Sequence, residues 1–168
     1  VLDPAISPEF GMDKHVFGMA QNVQQNPAIV FDGTNYMAVW EDARLNVSGT
    51  ASFNIYGARI NKNGIVIDRA GFKISKYSQE TNPAIAFDGE NYLVVWSMYD
   101  SSIRGRRVSK DGEILDESEI DISEGQEDDK QKNDPAVAFD GENYLVVWRT
   151  SETIYGTRVT KEGIRISQ

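Results

Sequence analysis

The chain contains no cysteine and one histidine, His15. Without cysteine there is no disulfide framework and no thiol nucleophile. One histidine near the end of the chain argues against a serine or cysteine nucleophile working with an imidazole base, and against a His/Cys zinc site. Positive charge is in the minority, with 17 Lys and Arg against 26 Asp and Glu and a net charge of −9. A surface of this sign repels phosphate backbones, so nucleic acid and anionic membrane are poor partners. No apolar run approaches 18 residues, so no membrane span is expected. Helical periodicity is missing as well, and so are long runs of helix formers. There is no glycine-rich phosphate loop, because the glycines fall in short turns. No cofactor and no metal ion is expected.

What the chain has in abundance is repetition. Residues 26–40 are NPAIVFDGTNYMAVW, residues 82–96 are NPAIAFDGENYLVVW and residues 134–148 are DPAVAFDGENYLVVW. The prolines at 27, 83 and 135 are spaced by 56 and 52 residues, and Trp40, Trp96 and Trp148 repeat the same spacings. A period of this size marks a repeat architecture. Each unit opens with two apolar runs around Asp-Gly, a hairpin signal because the turn needs positive φ. Runs this apolar suggest strands covered on both faces. A third strand follows as IYGARIN (55–61), IRGRRVS (103–109) and IYGTRVT (154–160), with a Lys-x-Gly turn after each. FKIS (72–75) and EIDIS (119–123) supply a fourth.

Four antiparallel strands in a unit of about 40 to 50 residues, stacked between like neighbours, describe a β-propeller blade. The expected fold is therefore all-β, a propeller with three blades per chain; a β-sandwich is the runner-up. Blade 1 is expected over 23–78, blade 2 over 79–130 and blade 3 over 131–168. The pattern PAxAFDGxNYLVVW, then IYGxRVxxxG, then FxIS, resembles the tandem propeller repeats of largely uncharacterised bacterial and archaeal proteins. The resemblance covers roughly residues 15–168. It implies the fold and a secreted or cell-surface location, and implies no particular activity. The WD pattern of WD40 repeats is missing, and so is the S-x-D-x-G-x-x-W box of sialidase-type propellers.

Three blades fall short of the usual four to eight of a closed ring. The third repeat also stops at IRISQ after Gly163, while residues 15–27, HVFGMAQNVQQNP, align with GFKISKYSQETNP at 71–83. Residues 15–22 are therefore expected to act as a closing strand, completing the third blade of a partner. The expected assembly is a homodimer forming one six-bladed ring, which leaves no open sheet edge. A fragment of a longer propeller remains the alternative. Residues 1–11, with their SPEF, look like expression-vector sequence, and Met12 like the native start; they are set apart from the fold.

The irregular loops share one face. Trp40 to Gly57 spans 17 residues, against 9 and 8 in the other repeats, and the loop over 124–134 is also long. Function tends to sit on variable loops held by a rigid scaffold. The expected ligand-binding residues on this rim are Asp42, Arg44, Tyr99, Asp100, Arg149 and Glu152, which differ between blades at equivalent positions. The bland alternative is a set of tolerated, solvated insertions. Asn26, Asn82 and Asp134 start the innermost strands and would ring the channel mouth, where they could meet a cation, water or sugar hydroxyl. Their competing explanation is an Asx-Pro turn. Glu127, Asp128 and Asp129 lack the alternating spacing of a calcium loop and suggest a solvated acidic turn.

Residues present in every repeat suggest structure. These are Asp32, Asp88 and Asp140 in turns, Arg59, Arg107 and Arg158 on the third strand, and the tyrosines and tryptophans. The arginines are expected to pair with Asp or with backbone. Gly57, Gly105 and Gly156 are expected to admit an aromatic ring. The function suggested by the sequence is non-catalytic binding or scaffolding of a glycan or protein ligand at the long-loop face. The alternative is a carboxylate-dependent glycoside hydrolase or lyase on that face, since two carboxyls suffice for such chemistry.

Overall fold

A computed structural model describes residues 23–45, 52–124 and 130–166. The expected closing strand, the centres of both long loops and the acidic run Glu127, Asp128 and Asp129 lie outside the described residues. Over these residues the chain forms three four-stranded antiparallel sheets. The first contains β1 (Gln24–Phe31), β2 (Asn35–Asp42), β3 (Asn54–Asn61) and β4 (Phe72–Lys73). The second contains β5 (Glu80–Phe87), β6 (Asn91–Met98), β7 (Ile103–Ser109) and β8 (Ile120–Asp121). The third contains β9 (Asn133–Phe139), β10 (Tyr144–Arg149), β11 (Ile154–Val159) and β12 (Arg165–Ile166). No described helix is long and apolar enough to cross a membrane.

The three sheets stack face to face. Strand β5 lies between β1 and β9, so the first strands of neighbouring blades run side by side. Two apolar clusters fill the two gaps. Met37, Val39, Ile55 and Ile74 of the first blade meet Ile85, Tyr92, Val94, Trp96 and Val108 of the second. Leu93, Val95, Ile103 and Ile122 of the second meet Tyr144, Val146, Trp148 and Val159 of the third. Odd and even residues of β6 thus serve different cores, which is why its sequence is apolar without alternation.

The hairpin turns form as their residues require. Oδ1 of Asp32 accepts the backbone N–H groups of Thr34 and Asn35, and Asp88 and Asp140 do the same for their own turns. Gly33, Gly89 and Gly141 follow at φ of 90°, 97° and 106°, a region that glycine enters at little cost.

The Asx-Pro pairs are β-bulges, and the turn expected of them is not formed. In blade 1 the register passes from Gln25↔Glu41 to Ala28↔Val39, so Asn26 and Pro27 together oppose Trp40. The second and third blades repeat this opposite Trp96 and Trp148. Proline cannot donate to a ladder, and a bulge is where an inner strand tolerates it. The preceding Asn26, Asn82 and Asp134 take φ of 52°, 53° and 51°, which Asn and Asp adopt more readily than other side chains.

The glycines of the third strands also differ from expectation. A Cβ on Gly57 would stand 2.8 Å from Ile74 Cδ1, and one on Gly105 would stand 2.9 Å from the Val94 carbonyl. Backbone and an isoleucine crowd these positions, and no aromatic ring does. Glycines that do admit a ring lie elsewhere: a Cβ on Gly71 would meet Trp40 at 3.1 Å, and one on Gly112 would meet Phe72 at 3.2 Å.

The repeated arginines find carboxylates nine residues downstream. Arg59 pairs with Asp68 at 2.8 Å and Arg107 with Asp116 at 2.6 Å. Each also donates to a backbone carbonyl of the next blade, Arg59 to Lys110 and Arg107 to Lys161. In the third repeat position 167 is serine, so Arg158 has no such aspartate.

Candidate functional site

The bulges carry the Asx side chains to one end of the first strands, where they form a ladder across the blades. Asn26 Nδ2 donates to Asn82 Oδ1 at 3.4 Å, and Asn82 Nδ2 donates to Asp134 Oδ1 at 2.9 Å. The first link is long and the second well formed. Asp134 also accepts from Arg149 Nε at 2.5 Å, an ion pair in which both side chains are about half exposed.

Glu41 joins this cluster from the end of β2. It is wholly buried and accepts three hydrogen bonds. The donors are Gln25 Nε2 at 2.7 Å, Asn26 Nδ2 at 2.7 Å and the Asn82 backbone N–H at 2.6 Å. Asn82 therefore holds two carboxylates at once, Glu41 through its backbone and Asp134 through its side chain. Each is one hydrogen bond from the same residue, so they are at most about 10 Å apart, and paired glycosidase carboxyls span about 5 to 10 Å. Glu41 escaped the sequence analysis. Its counterparts are Ser97 and Arg149, so it varies between blades just as Arg149 does, and that variation was the available signal.

The six rim residues do not form one cluster. Asp42 is buried, accepting from the Trp40 indole N–H at 2.9 Å and pairing with Arg44 at 2.5 Å. Burial alone would raise the Asp42 carboxyl; the Arg44 side chain, the Trp40 indole and the Arg44 backbone N–H outweigh it and hold the pKa below the ordinary value. Arg44 also donates to the Ala70 carbonyl at 2.5 Å and lies over the Tyr56 ring at 4.3 Å. This pair is occupied by its own blade. Asp100 pairs with Arg104 at 3.3 Å, and Glu152 with Lys130 at 2.5 Å. Tyr99 projects into solvent. Arg149 is the rim residue that reaches the channel-mouth ladder.

Beside the long first loop, a pocket of about 480 Å³ opens between Asn54, Lys73, Lys76 and Tyr77. Asn54 Nδ2 also donates to the buried Glu80 at 3.2 Å. Burial pushes the Glu80 carboxyl above its ordinary pKa despite donors from Ser75 and Asn54. Among the described residues no group of three His, Cys, Asp or Glu side chains is placed to hold a metal ion.

Three stacked four-stranded antiparallel sheets whose first strands run side by side define a β-propeller, and comparison with solved structures agrees. The chain superposes on an α-L-arabinofuranosidase from Lactobacillus brevis with a TM-score of 0.58 and 12% identity, over 85% of this chain and 55% of that one. It superposes on a GH43 endo-arabinanase from Bacillus licheniformis with a TM-score of 0.56 and 16% identity, over 84% of this chain and 56% of that one. At such identities the likeness is one of fold. The chain spans just over half the length of these neighbours. No family model matches it, and no curated protein matches it.

Proposed function

We propose that this propeller acts on glycans at the face carrying the long loops, and that the carboxylates at its channel mouth serve in cleaving a glycosidic bond, as a hydrolase or a lyase. The observation that carries this reading is the bridging of Glu41 and Asp134 by Asn82. Paired carboxyls are the minimal apparatus for such chemistry, one supplying a proton and the other acting as base or nucleophile. Asp134 is the exposed member and the one a substrate can reach. The structural neighbours support the choice, since both are named as enzymes of arabinose-containing substrates.

Non-catalytic glycan binding is the second reading, and a specific observation favours it. Every rim and mouth carboxylate described here already has a partner: Glu41 accepts three hydrogen bonds, and Asp42, Asp100, Asp134 and Glu152 are ion-paired. A glycan array read beside a panel of arabinan and other polysaccharide substrates separates the two. Turnover supports cleavage, and retention on the array without turnover supports binding alone. Neither retention nor turnover would refute both.

A further inference from the structure

The two internal blade interfaces are built to one plan, and the plan is left unfinished at both ends of the stack. On its forward side a blade presents a residue of the second strand and the first apolar residue of the third. Met37 and Ile55 do this in the first blade, and Leu93 and Ile103 in the second; all four are wholly buried against the next blade. Their counterparts in the third blade are Leu145 and Ile154, which are 47% and 68% exposed. On its rear side a blade presents a tyrosine from the second strand. Tyr92 and Tyr144 are fully buried there, whereas Tyr36 is 38% exposed, with Ile29 and Phe31 exposed beside it. Among the described residues one end of the stack thus lacks a forward neighbour and the other a rear neighbour, and each offers what the other lacks. Apolar surface of this kind marks a docking site.

The polar contacts follow the same plan. Across the first interface the Tyr92 hydroxyl donates to Asp32 Oδ2 at 2.6 Å, Lys110 Nζ donates to the Asp32 carbonyl at 3.4 Å, and Arg59 donates to the Lys110 carbonyl at 3.4 Å. Across the second, the Tyr144 hydroxyl donates to the Asn91 carbonyl at 3.0 Å, Lys161 to the Asp88 carbonyl at 3.1 Å, and Arg107 to the Lys161 carbonyl at 3.1 Å. The unused equivalents are Asp140 and Arg158 at one end of the stack, and Tyr36 and Lys62 at the other. Arg158 is exposed.

We propose that the open face of the third blade docks onto the open face of the first blade of a second copy of this chain. The contact is made twice around a two-fold axis and closes a six-bladed ring. In that ring the partner's Tyr36 and the partner's Lys62 reach the Asp140 turn, and Arg158 reaches the backbone of the partner's Lys62. Two copies each of three blades fall within the four to eight of closed propellers. The contact joins two different patches, and in a six-bladed ring each three-blade half takes up half the circle, so two such contacts close it. The seam also extends the channel mouth, because the position after Asp134 in the ladder belongs to the partner's Asn26, beside Arg149. This inference rests on the blade interfaces and is independent of any chemistry at the mouth.

Light scattering on the full chain at micromolar concentration tests it. The expected mass is twice 18.8 kDa. A folded monomer would overturn the proposal, whether the faces are left bare or covered by the chain's own ends, and so would a ladder of larger masses. Tyr36→Arg and Leu145→Arg, each on a surface that is open in the single chain, should both fold and each weaken association at least tenfold. Mixing the two variants provides the specific control. A mixed dimer has one seam carrying both substitutions and one seam carrying neither, so mixing should restore part of the dimer. If both variants remain fully dimeric, or if mixing recovers nothing, the proposed pairing of faces is wrong.

Discussion

The hydroxyl of Tyr92 donates a 2.6 Å hydrogen bond to the carboxylate of Asp32, fastening the second blade to the hairpin turn of the first. Burial first, and the neighbouring carboxylate second, push the Tyr92 phenol well above its ordinary pKa of 10.0. Burial would also raise Asp32, but Tyr92, the backbone N–H groups of Asn35 and Thr34, and Lys110 together hold it below 3.8. Tyr92→Phe should destabilise the fold by about 1.5 to 3 kcal/mol, the usual worth of a hydrogen bond to a charged group. The raised phenol contributes fully below about pH 10 and loses its contribution as pH rises further. The lowered carboxyl contributes above about pH 4 and loses its contribution as pH falls. Denaturant titration of both proteins should therefore give a constant difference from about pH 5 to pH 9, shrinking outside that window. A difference that grows beyond pH 10 would contradict this account of the bond.

Trp96 is wholly buried between the first two blades. Trp96→Ala should cost about 3 to 5 kcal/mol, as removal of a large core aromatic does, without changing ligand preference. Chemical denaturation measures the first, and the glycan panel the second. A variant of normal stability that has lost its ligand would place Trp96 in the site.

Arg44 was expected to face a ligand, and the structure gives it to Asp42, the Ala70 carbonyl and the Tyr56 ring. Arg44→Ala strands a buried carboxylate and should lower stability by about 3 kcal/mol. Ligand affinity measured well below the melting temperature should be unchanged.

Glu80 is buried with one carboxyl oxygen lacking a partner. Its folded pKa is raised above 4.5, chiefly by burial, so its contribution to stability is complete below about pH 4.5 and is lost as pH rises through the folded value. Glu80→Gln does not titrate. Its stability relative to the parent chain should improve between about pH 4 and about pH 8. Melting curves at the two pH values decide it, and a relative stability that is flat or falling with pH would contradict the assignment.

Much of the scaffold is legible in the residues themselves. Asp-Gly marks the hairpins because few side chains tolerate the turn, and the threefold recurrence of Trp and Asx-Pro marks one unit of structure. The bulge joining Trp to Asx-Pro is less accessible, because it depends on the register of two strands, which no single segment specifies. The Arg59–Asp68 and Arg107–Asp116 pairs lie at a constant nine-residue offset and could have been found by comparing repeats. The burial of Asp42 and Glu41 could not, since both sit among loop and strand-end residues that look solvated in one dimension. Variation between blades singled out Arg149, which reaches the channel-mouth ladder through Asp134, and equally singled out Asp42, which is closed in an ion pair with Arg44.

The central claim is that the carboxylates gathered by Asn82 act on a glycan. It is tested most directly by Asp134→Asn, which keeps the shape of the side chain and removes its charge. Steady-state turnover of the best substrate from the polysaccharide panel should fall at least a hundredfold in kcat/KM, the scale of losing a general acid or base. The melting temperature should remain close to that of the parent chain. Asp111→Asn, at an exposed turn of the opposite face, should leave turnover unchanged. Equal turnover by the Asp134→Asn variant and the parent chain would contradict the claim.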